Sequence, residues 1–308
     1  MIAAVLIIKS LGVLVAWYFL RRGYHEIKDT HHHHVSTSHA VSPLALLLWR
    51  VLMFAFTAGV LAVQVYERST RAFRFFTVWN WTAIIIYFFL ASISSAMTVW
   101  GVGTGYGLRA QRSRGTRGTR TTTRMTTRTR TRAKTRSTTE ATKAIASTKN
   151  NNQAASSSTL LSKTVATMFH VLTPMTLYID IITWGVLVPA LMKTPDLERR
   201  KHWETVMFSF ISYSQHGLNA LIMGVEMLIN NIPNSDNWAH GVVCMWNILF
   251  ALWALFFFSM TGQALYPFLD YSKASSELWV AFVALLGTSM GSSWIVQKLL
   301  GYKWKRFV

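Results

Sequence analysis

Long runs of apolar residues constrain this chain more than any other feature. A helix that crosses a membrane needs about 20 mostly apolar residues. Seven stretches meet that need, at 2–20, 43–66, 75–103, 164–192, 205–231, 238–265 and 277–297. Only 14% of the 308 residues are charged, whereas soluble domains average about 25%. The sequence therefore predicts an all-α, multi-pass transmembrane helix bundle, in which six core spans follow one extra N-terminal span.

The spans and the segments between them divide the chain into four parts. We expect an N-terminal anchor span with a His-rich loop at 1–42, transmembrane helices 2 and 3 at 43–103, a disordered Arg/Thr-rich loop at 104–160, and transmembrane helices 4 to 7 with a short basic tail at 161–308. The first span could instead be a cleaved signal peptide. No basic residue precedes it, whereas Arg21 and Arg22 follow it, which favours a retained anchor.

Most of the basic charge lies in one low-complexity tract. Residues 109–149 carry 13 Lys and Arg and one acid, Glu140, which gives +12 of the whole-chain net charge of +19. Such a tract can contact anionic lipid headgroups, be regulated by phosphorylation, or be a solvated expansion with no binding role. No nucleic-acid partner is expected, because the tract lacks interleaved aromatic residues on which bases could stack.

Basic residues near the span ends predict the orientation of the chain. Arg109, Arg112 and Arg114 lie just beyond the third span, and basic residues so placed favour the cytosolic side. We therefore expect the tract and the C-terminus in the cytosol and the N-terminus in the lumen. The C-terminal sequence KRFV approximates a dibasic retrieval signal, which favours the endoplasmic reticulum, with the plasma membrane as the alternative.

No metal site or cofactor is expected from the cysteine and histidine content. Cys244 is the only cysteine, so neither an internal disulfide nor a cysteine metal cluster can form. The run His31–His34, with His25 and His39 nearby, could bind Zn²⁺ or Cu²⁺. Its four consecutive imidazoles in a loop resemble a purification tag more than an ordered metal site.

Polar side chains inside the spans are the candidate functional residues, because ionisable groups are costly at bilayer depth. One helical stripe of the fifth span contains Ser209, Ser212, His216, Asn219, Met223 and Glu226. Such a stripe must face protein or trapped water. The other candidates are Arg50, Thr77, Asn80 and Asp180. The alternative is a structural role, as interhelical hydrogen bonds, an ion pair of Arg50, or snorkelling of Arg50 or Glu226 to the membrane surface.

The expected depths in the membrane place Asp180 close to His216 but Thr77 far from it. With 1.5 Å per residue, Asp180 and His216 each lie about 17 Å from the lumenal boundary of adjacent antiparallel spans. A hydrogen bond between Asp180 and His216 is therefore feasible. Thr77 is only two residues inside the third span, about 14 Å shallower than His216. A direct contact between Thr77 and His216 requires the third helix to begin earlier or the protein to bend inward.

Five short strings in order give the chain a family resemblance. They are LWRVLMFAF (48–56), FFTVWNWTAIIIYFFLAS (75–92), MTLYIDIITWGVLVP (175–189), SQHGLNALIMGVEML (214–228) and LYPFLD (265–270). In this order they resemble the androgen-induced-protein superfamily, especially its plant and protist membrane proteins and the rolling-stone-like proteins. The resemblance covers roughly 43–103 and 164–300, and leaves out the first span and the basic tract.

The resemblance implies an intramembrane hydrolase of fatty-acid esters that uses a threonine and a histidine. Carried over to this chain, the threonine is Thr77 and the histidine is His216. Asp180 would orient the imidazole, and the amides of Asn80 or Asn219 would donate to a developing oxyanion. Membrane lipids are then the expected partners.

Two other functions remain open at the level of the sequence. The first is a non-enzymatic membrane protein that binds lipid or serves in adhesion or as a scaffold. The second is a proton-coupled transporter, in which Asp180, His216 and Glu226 form a proton relay. The sequence shows no inverted repeat or matched pair of broken helices, which transporters usually have.

Overall fold

The computed structural model describes the backbone of residues 2–28, 32–101, 137–266 and 275–307. It also describes their side chains, except at 2–9, 28, 33, 137–159, 275–277 and 279. Within these ranges the chain forms helices and turns and no β-strand, so the all-α prediction is confirmed. Most of the basic tract, together with His31, lies outside the described residues.

Eleven α-helices make up the described fold. They are α1 (Ile2–Lys28), α2 (His32–Ser36), α3 (Pro43–Arg68), α4 (Phe76–Val99), α5 (Ser137–Ile182), α6 (Val188–Met192), α7 (Leu197–Met207), α8 (Phe210–Tyr213), α9 (Asn219–Ile229), α10 (Asp236–Thr261) and α11 (Ser275–Phe307). A 3-10 turn, Thr70–Arg74, precedes α4. Two π-helical segments, Thr183–Leu187 and Ser214–Leu218, join α5 to α6 and α8 to α9.

Within the described residues, five helices are long and apolar enough to cross a membrane. They are Pro43–Arg68, Phe76–Val99, Leu160–Met192, Asp236–Thr261 and Val280–Phe307. Aliphatic and aromatic side chains of four of these spans (α3, α4, α5 and α11) form a core together with Ile222 and Met223 of α9. An integral, multi-pass helix bundle follows from this architecture, and the total of seven spans stays a prediction.

The predicted fifth span, 205–231, is not a continuous helix, and this corrects the sequence analysis. α7 ends at Met207, and Ser209 starts a new helix by accepting a hydrogen bond from Ser212 N. Further along, His216 has a non-helical backbone conformation, with φ −131° and ψ 25°. A serine side chain that bonds a nearby amide competes with the regular helical pattern, which explains the first break.

Helix α5 begins earlier than predicted. The fourth span was expected from residue 164, and the residues before it were expected to be disordered, but the helix extends back to Ser137. No glycine or proline occurs between 137 and 173. Adding a turn to an existing helix costs much less than starting one, so the apolar span can extend into this polar segment.

Helix α1 packs antiparallel against α10 through small residues. A Cβ atom on Gly23 would overlap the backbone of Trp238, and one on Gly241 would lie 2.8 Å from Leu20 N. Glu26 accepts hydrogen bonds from the N-terminal turn of α10, including the Trp238 amide at 3.2 Å. Close backbone approach through glycine is the usual way helices associate in membranes. α1 is therefore an integral part of the bundle.

Candidate functional site

An apolar cavity lies beside the beginning of α4. It has about 130 Å³ of space open to water-sized molecules. Its polar lining consists of Thr77, Tyr178, Thr183, Asn247 and Tyr266. The rest of its wall is mainly aliphatic and aromatic, with side chains from α5, α10 and α11 and with Gly12 of α1. A cavity of this composition suits an apolar ligand that carries a few polar atoms.

Thr183 connects this cavity to His216. Its Oγ1 lies 3.0 Å from Nδ1 of the His216 ring. The exposed fractions are only 3% for Thr183 and 7% for His216, so water does not compete freely for this contact. The Trp184 Nε1 group donates to the His216 carbonyl oxygen, which fixes the backbone beside the imidazole.

The Thr183–His216 contact joins the two π-helical segments. Thr183 is the first residue of Thr183–Leu187, and His216 is the central residue of Ser214–Leu218. A π-helical turn holds one extra residue and is frequent at functional sites. The two contacting residues are 33 positions apart in the sequence. Two separate π-helical segments therefore meet at this contact.

Thr77 lies where hydropathy predicted it, in the first turn of α4, which begins at Phe76. It is half-buried and lines the cavity. Thr77 and Thr183 therefore face the same space. Thr183 is the threonine whose hydroxyl the structure places against the His216 ring.

Tyr266 closes the cavity at the N-terminus of α4. The N-cap residue Phe75 makes no side-chain capping bond, and the Phe76 amide instead donates to the Tyr266 hydroxyl oxygen at 3.2 Å. The rings of Phe75 and Phe250 pack edge-on against Tyr266, with centroids 6.0 and 6.3 Å away. Burial raises the pKa of the Tyr266 phenol, so this hydroxyl keeps its proton.

The structure does not pair Asp180 with His216. The polar side chain that interacts with Asp180 is Asn219, and the Asp180 Oδ1 atom has no hydrogen-bond partner among the described residues. Asn219 also accepts a 2.7 Å hydrogen bond from the Ala220 amide. Asn80 is buried, and its Oδ1 likewise lacks a partner within the described part of the chain. Neither asparagine is part of the described cavity wall.

Arg50 forms the ion pair that was one alternative from the sequence, and its partner is the buried Glu226. Arg50 Nη2 donates to Glu226 Oε1 at 2.6 Å, and both side chains are 0% exposed. Tyr87 Oη donates to Glu226 Oε1 at 2.8 Å, and Trp49 Nε1 donates to Oε2 at 3.0 Å. Glu226 therefore does not snorkel to the membrane surface.

The remaining donors of Arg50 tie the ion pair to α2 and α4. Arg50 Nη1 donates to Val35 O at 2.8 Å, to Ser95 Oγ at 2.7 Å and to Ala91 O at 3.3 Å. A buried ion pair is tolerated only when such additional bonds satisfy its polar atoms. None of these residues lines the cavity, so the pair joins helices at another place in the bundle.

Two further polar contacts were also missed from the sequence. The amides of Gln64 and Gln215 donate to each other at 3.3 and 2.8 Å, which links α3 to the residue before His216. Lys303 Nζ donates to Met227 O and Asn230 O, both at 2.7 Å, and so caps the end of α9 from α11. Both contacts join residues far apart in the chain, 151 positions for Gln64 with Gln215 and 76 for Met227 with Lys303, so the sequence does not pair them.

The histidine-rich segment makes ordinary polar contacts where it is described. His32 contacts the hydroxyls of Ser36 and Ser94 at 3.1 and 3.3 Å, and His39 Nδ1 lies 2.6 Å from Asn231 Oδ1. Among the described residues, no group of three or more His, Cys, Asp or Glu side chains is arranged to hold a metal ion.

Comparison with known proteins gives no function for this chain, so a function must be argued from its own geometry. No protein-family model, no curated protein and no solved structure matches this chain. The resemblance to the androgen-induced-protein superfamily therefore rests on the five sequence strings alone.

Proposed function

We propose that this integral membrane protein hydrolyses a long-chain lipid ester, with Thr183 as nucleophile and His216 as general base. The observation that carries this proposal is the 3.0 Å separation of Thr183 Oγ1 and His216 Nδ1 at the wall of an apolar cavity. A base must lie about 2.6–3.2 Å from the hydroxyl that it deprotonates. The pair meets that requirement without movement.

The reaction follows the usual course of acyl transfer. When Nε2 of His216 carries the ring proton, Nδ1 accepts the Thr183 hydroxyl proton as Oγ1 bonds to the ester carbonyl carbon. The carbonyl electron pair moves onto its oxygen and then returns as the alcohol oxygen leaves with the proton from Nδ1. A water molecule, deprotonated by Nδ1, then attacks the acyl-threonine, which releases the fatty acid and restores the Thr183 hydroxyl.

The geometry selects Thr183, whereas the family resemblance selects Thr77. Both line the cavity, so the ester would contact both hydroxyls. Only contact with a base makes a threonine hydroxyl a useful nucleophile, and the imidazole contact that the structure gives is to Thr183. We therefore assign nucleophilic attack to Thr183 and contact with the bound ester to Thr77.

The alternatives have less support from the contacts. A proton relay would need Glu226 to exchange protons, but Glu226 accepts four hydrogen bonds, from Trp49, Arg50 (two) and Tyr87. These bonds hold the carboxylate among α3 and α4, and Glu226 does not line the cavity. Lipid binding without catalysis would use the same cavity but would give His216 no role.

Hydrolysis of p-nitrophenyl palmitate by the purified, full-length protein tests the proposal. We expect turnover by the wild type and by Thr183→Ser, and none by Thr183→Ala or His216→Ala. Thr57→Ala and His170→Ala are matched controls, because Thr57 and His170 are equally buried and lie outside the cavity wall; both should retain turnover. Absence of turnover by the wild type, or turnover by Thr183→Ala at the wild-type rate, contradicts the proposal.

A further inference from the structure

The turn after α10 carries Tyr266 to the beginning of α4. α10 ends at Thr261 and is capped by Gly262, which has a left-handed φ of 68° and whose amide donates to Phe258 O at 2.8 Å. Glycine adopts this conformation without strain and ends the helix there. The reversed chain then places the Tyr266 ring in the cavity wall, next to Phe75 and Phe250.

The Tyr266 hydroxyl oxygen occupies the position of a capping group for α4. The Phe76 amide donates to it at 3.2 Å, and the Thr77 amide also contributes to this interaction. The first amides of a helix concentrate positive potential and have no partner within their own helix. A hydrogen bond donated to a hydroxyl oxygen makes the hydroxyl proton a stronger donor in turn.

We propose that the Tyr266 hydroxyl donates to the carbonyl oxygen of the bound ester and stabilises the oxyanion that forms when Thr183 attacks. This assignment rests on the proposed hydrolase function and deepens it. Thr183 and Tyr266 line the same cavity, so an ester bound there has both hydroxyls in the wall around it. The amides at the start of α4 donate to the phenol oxygen, which leaves its proton directed away from the helix. The substrate class is therefore a carbonyl ester with an apolar chain.

A purely structural role of Tyr266 makes a different prediction. If the hydroxyl only caps α4, its loss lowers the stability of the folded protein and leaves the rate per folded molecule unchanged. If the hydroxyl contacts the oxyanion, its loss lowers the rate per folded molecule. Tyr266→Phe removes the hydroxyl and keeps the ring packing, so it separates these two roles.

The test is the rate at which a fluorophosphonate probe modifies the full-length protein in membranes, normalised to folded protein by gel filtration. We expect Tyr266→Phe to react about 100-fold more slowly than the wild type, the usual effect of losing one oxyanion donor. Tyr87→Phe is the matched control, because Tyr87 is a buried, hydrogen-bonded tyrosine outside the cavity wall. It should react at the wild-type rate per folded molecule.

The outcomes separate this inference from the proposed function. If the wild type reacts, Thr183→Ala does not, and Tyr266→Phe reacts like the wild type, the hydrolase proposal stands and the role of Tyr266 is overturned. If the wild type does not react, or if Thr183→Ala reacts equally fast, the hydrolase proposal falls, and the role of Tyr266 falls with it. Slow reaction of Tyr266→Phe alone, with normal Tyr87→Phe, supports the inference.

Discussion

The Thr183 hydroxyl lies 3.0 Å from Nδ1 of His216, and each residue belongs to its own π-helical segment. Each π-helical turn adds a residue to its helix and shifts the side chains that follow relative to a regular helix. The meeting of these two irregular segments places a base against a hydroxyl at the wall of an apolar cavity. This arrangement is the structural basis of the proposed hydrolase.

Removing one partner of the buried ion pair should strongly destabilise the bundle. We expect Arg50→Met to lower the free energy of unfolding by about 3–5 kcal/mol, because it leaves the Glu226 carboxylate buried without its cation. The double variant Arg50→Met/Glu226→Met should recover most of that loss. Denaturant unfolding in detergent measures both. Lys201→Ala breaks the exposed pair with Glu198 and should cost less than about 1 kcal/mol. Equal stability of Arg50→Met and the wild type would refute this role.

The sequence predicts the continuous spans of this fold better than the broken one. Five apolar runs are long helices as expected, because an apolar run of that length is a property of composition alone. The run at 205–231 is broken at Ser209 and His216. The break at Ser209 depends on a serine cap, and the one at His216 accompanies contacts with Thr183 and Trp184. Thr183 and Trp184 are more than 30 positions from His216, so hydropathy does not reveal these contacts.

The candidate site could be predicted only in part, because contacts between distant residues cannot be read from the sequence. Polarity inside a span drew attention to Arg50, Glu226 and His216, and the structure buries all three side chains. Their partners could not be assigned, since Arg50 and Glu226 are 176 positions apart. Thr183 was missed because a threonine in an apolar helix usually bonds its own backbone, as Thr176 does with Thr173 O.

The glycine contacts of α1 lead to a second stability prediction. Gly23→Ala should destabilise the bundle by about 1–3 kcal/mol, because the added Cβ atom overlaps the Trp238 backbone and the helices must move apart. Gly59→Ala is the control: nothing lies within 4 Å of its added Cβ, and alanine is the better helix former. Thermal unfolding in detergent compares the two. A Gly23→Ala variant as stable as Gly59→Ala would mean that α1 does not pack as described.

Gly12 should limit the acyl chain that the cavity accepts. It lines the cavity, and an added Cβ atom would lie 3.3 Å from Ile248 Cδ1. We expect Gly12→Val to lower kcat/KM for long-chain esters relative to short-chain esters, by about fourfold for each displaced CH₂ group at about 0.8 kcal/mol per group. The measurement is a series of p-nitrophenyl esters of increasing chain length. An unchanged chain-length profile would exclude Gly12 from the acyl-binding wall.

The orientation prediction can be checked with single cysteines. The native Cys244 is 1% exposed and can be replaced by serine. His39 stacks on Phe307 with ring centroids 5.6 Å apart, so a cysteine at 38 and one at 305 should lie on the same, cytosolic side. A cysteine at 201, in the exposed helix α7, should lie on the opposite side. In sealed microsomes, a membrane-impermeant maleimide should label the first two and spare the third. The reverse pattern would invert the orientation.

The residue that a fluorophosphonate probe modifies identifies the nucleophile of the proposed reaction. Full-length protein is reacted in membranes, digested, and analysed by peptide mass spectrometry. We predict a single phosphonylated residue, Thr183, and loss of that modification in His216→Ala but not in the matched His170→Ala variant. Modification of Thr77 instead, or no modification of the folded wild-type protein, would contradict the assignment of Thr183 and His216 as nucleophile and base.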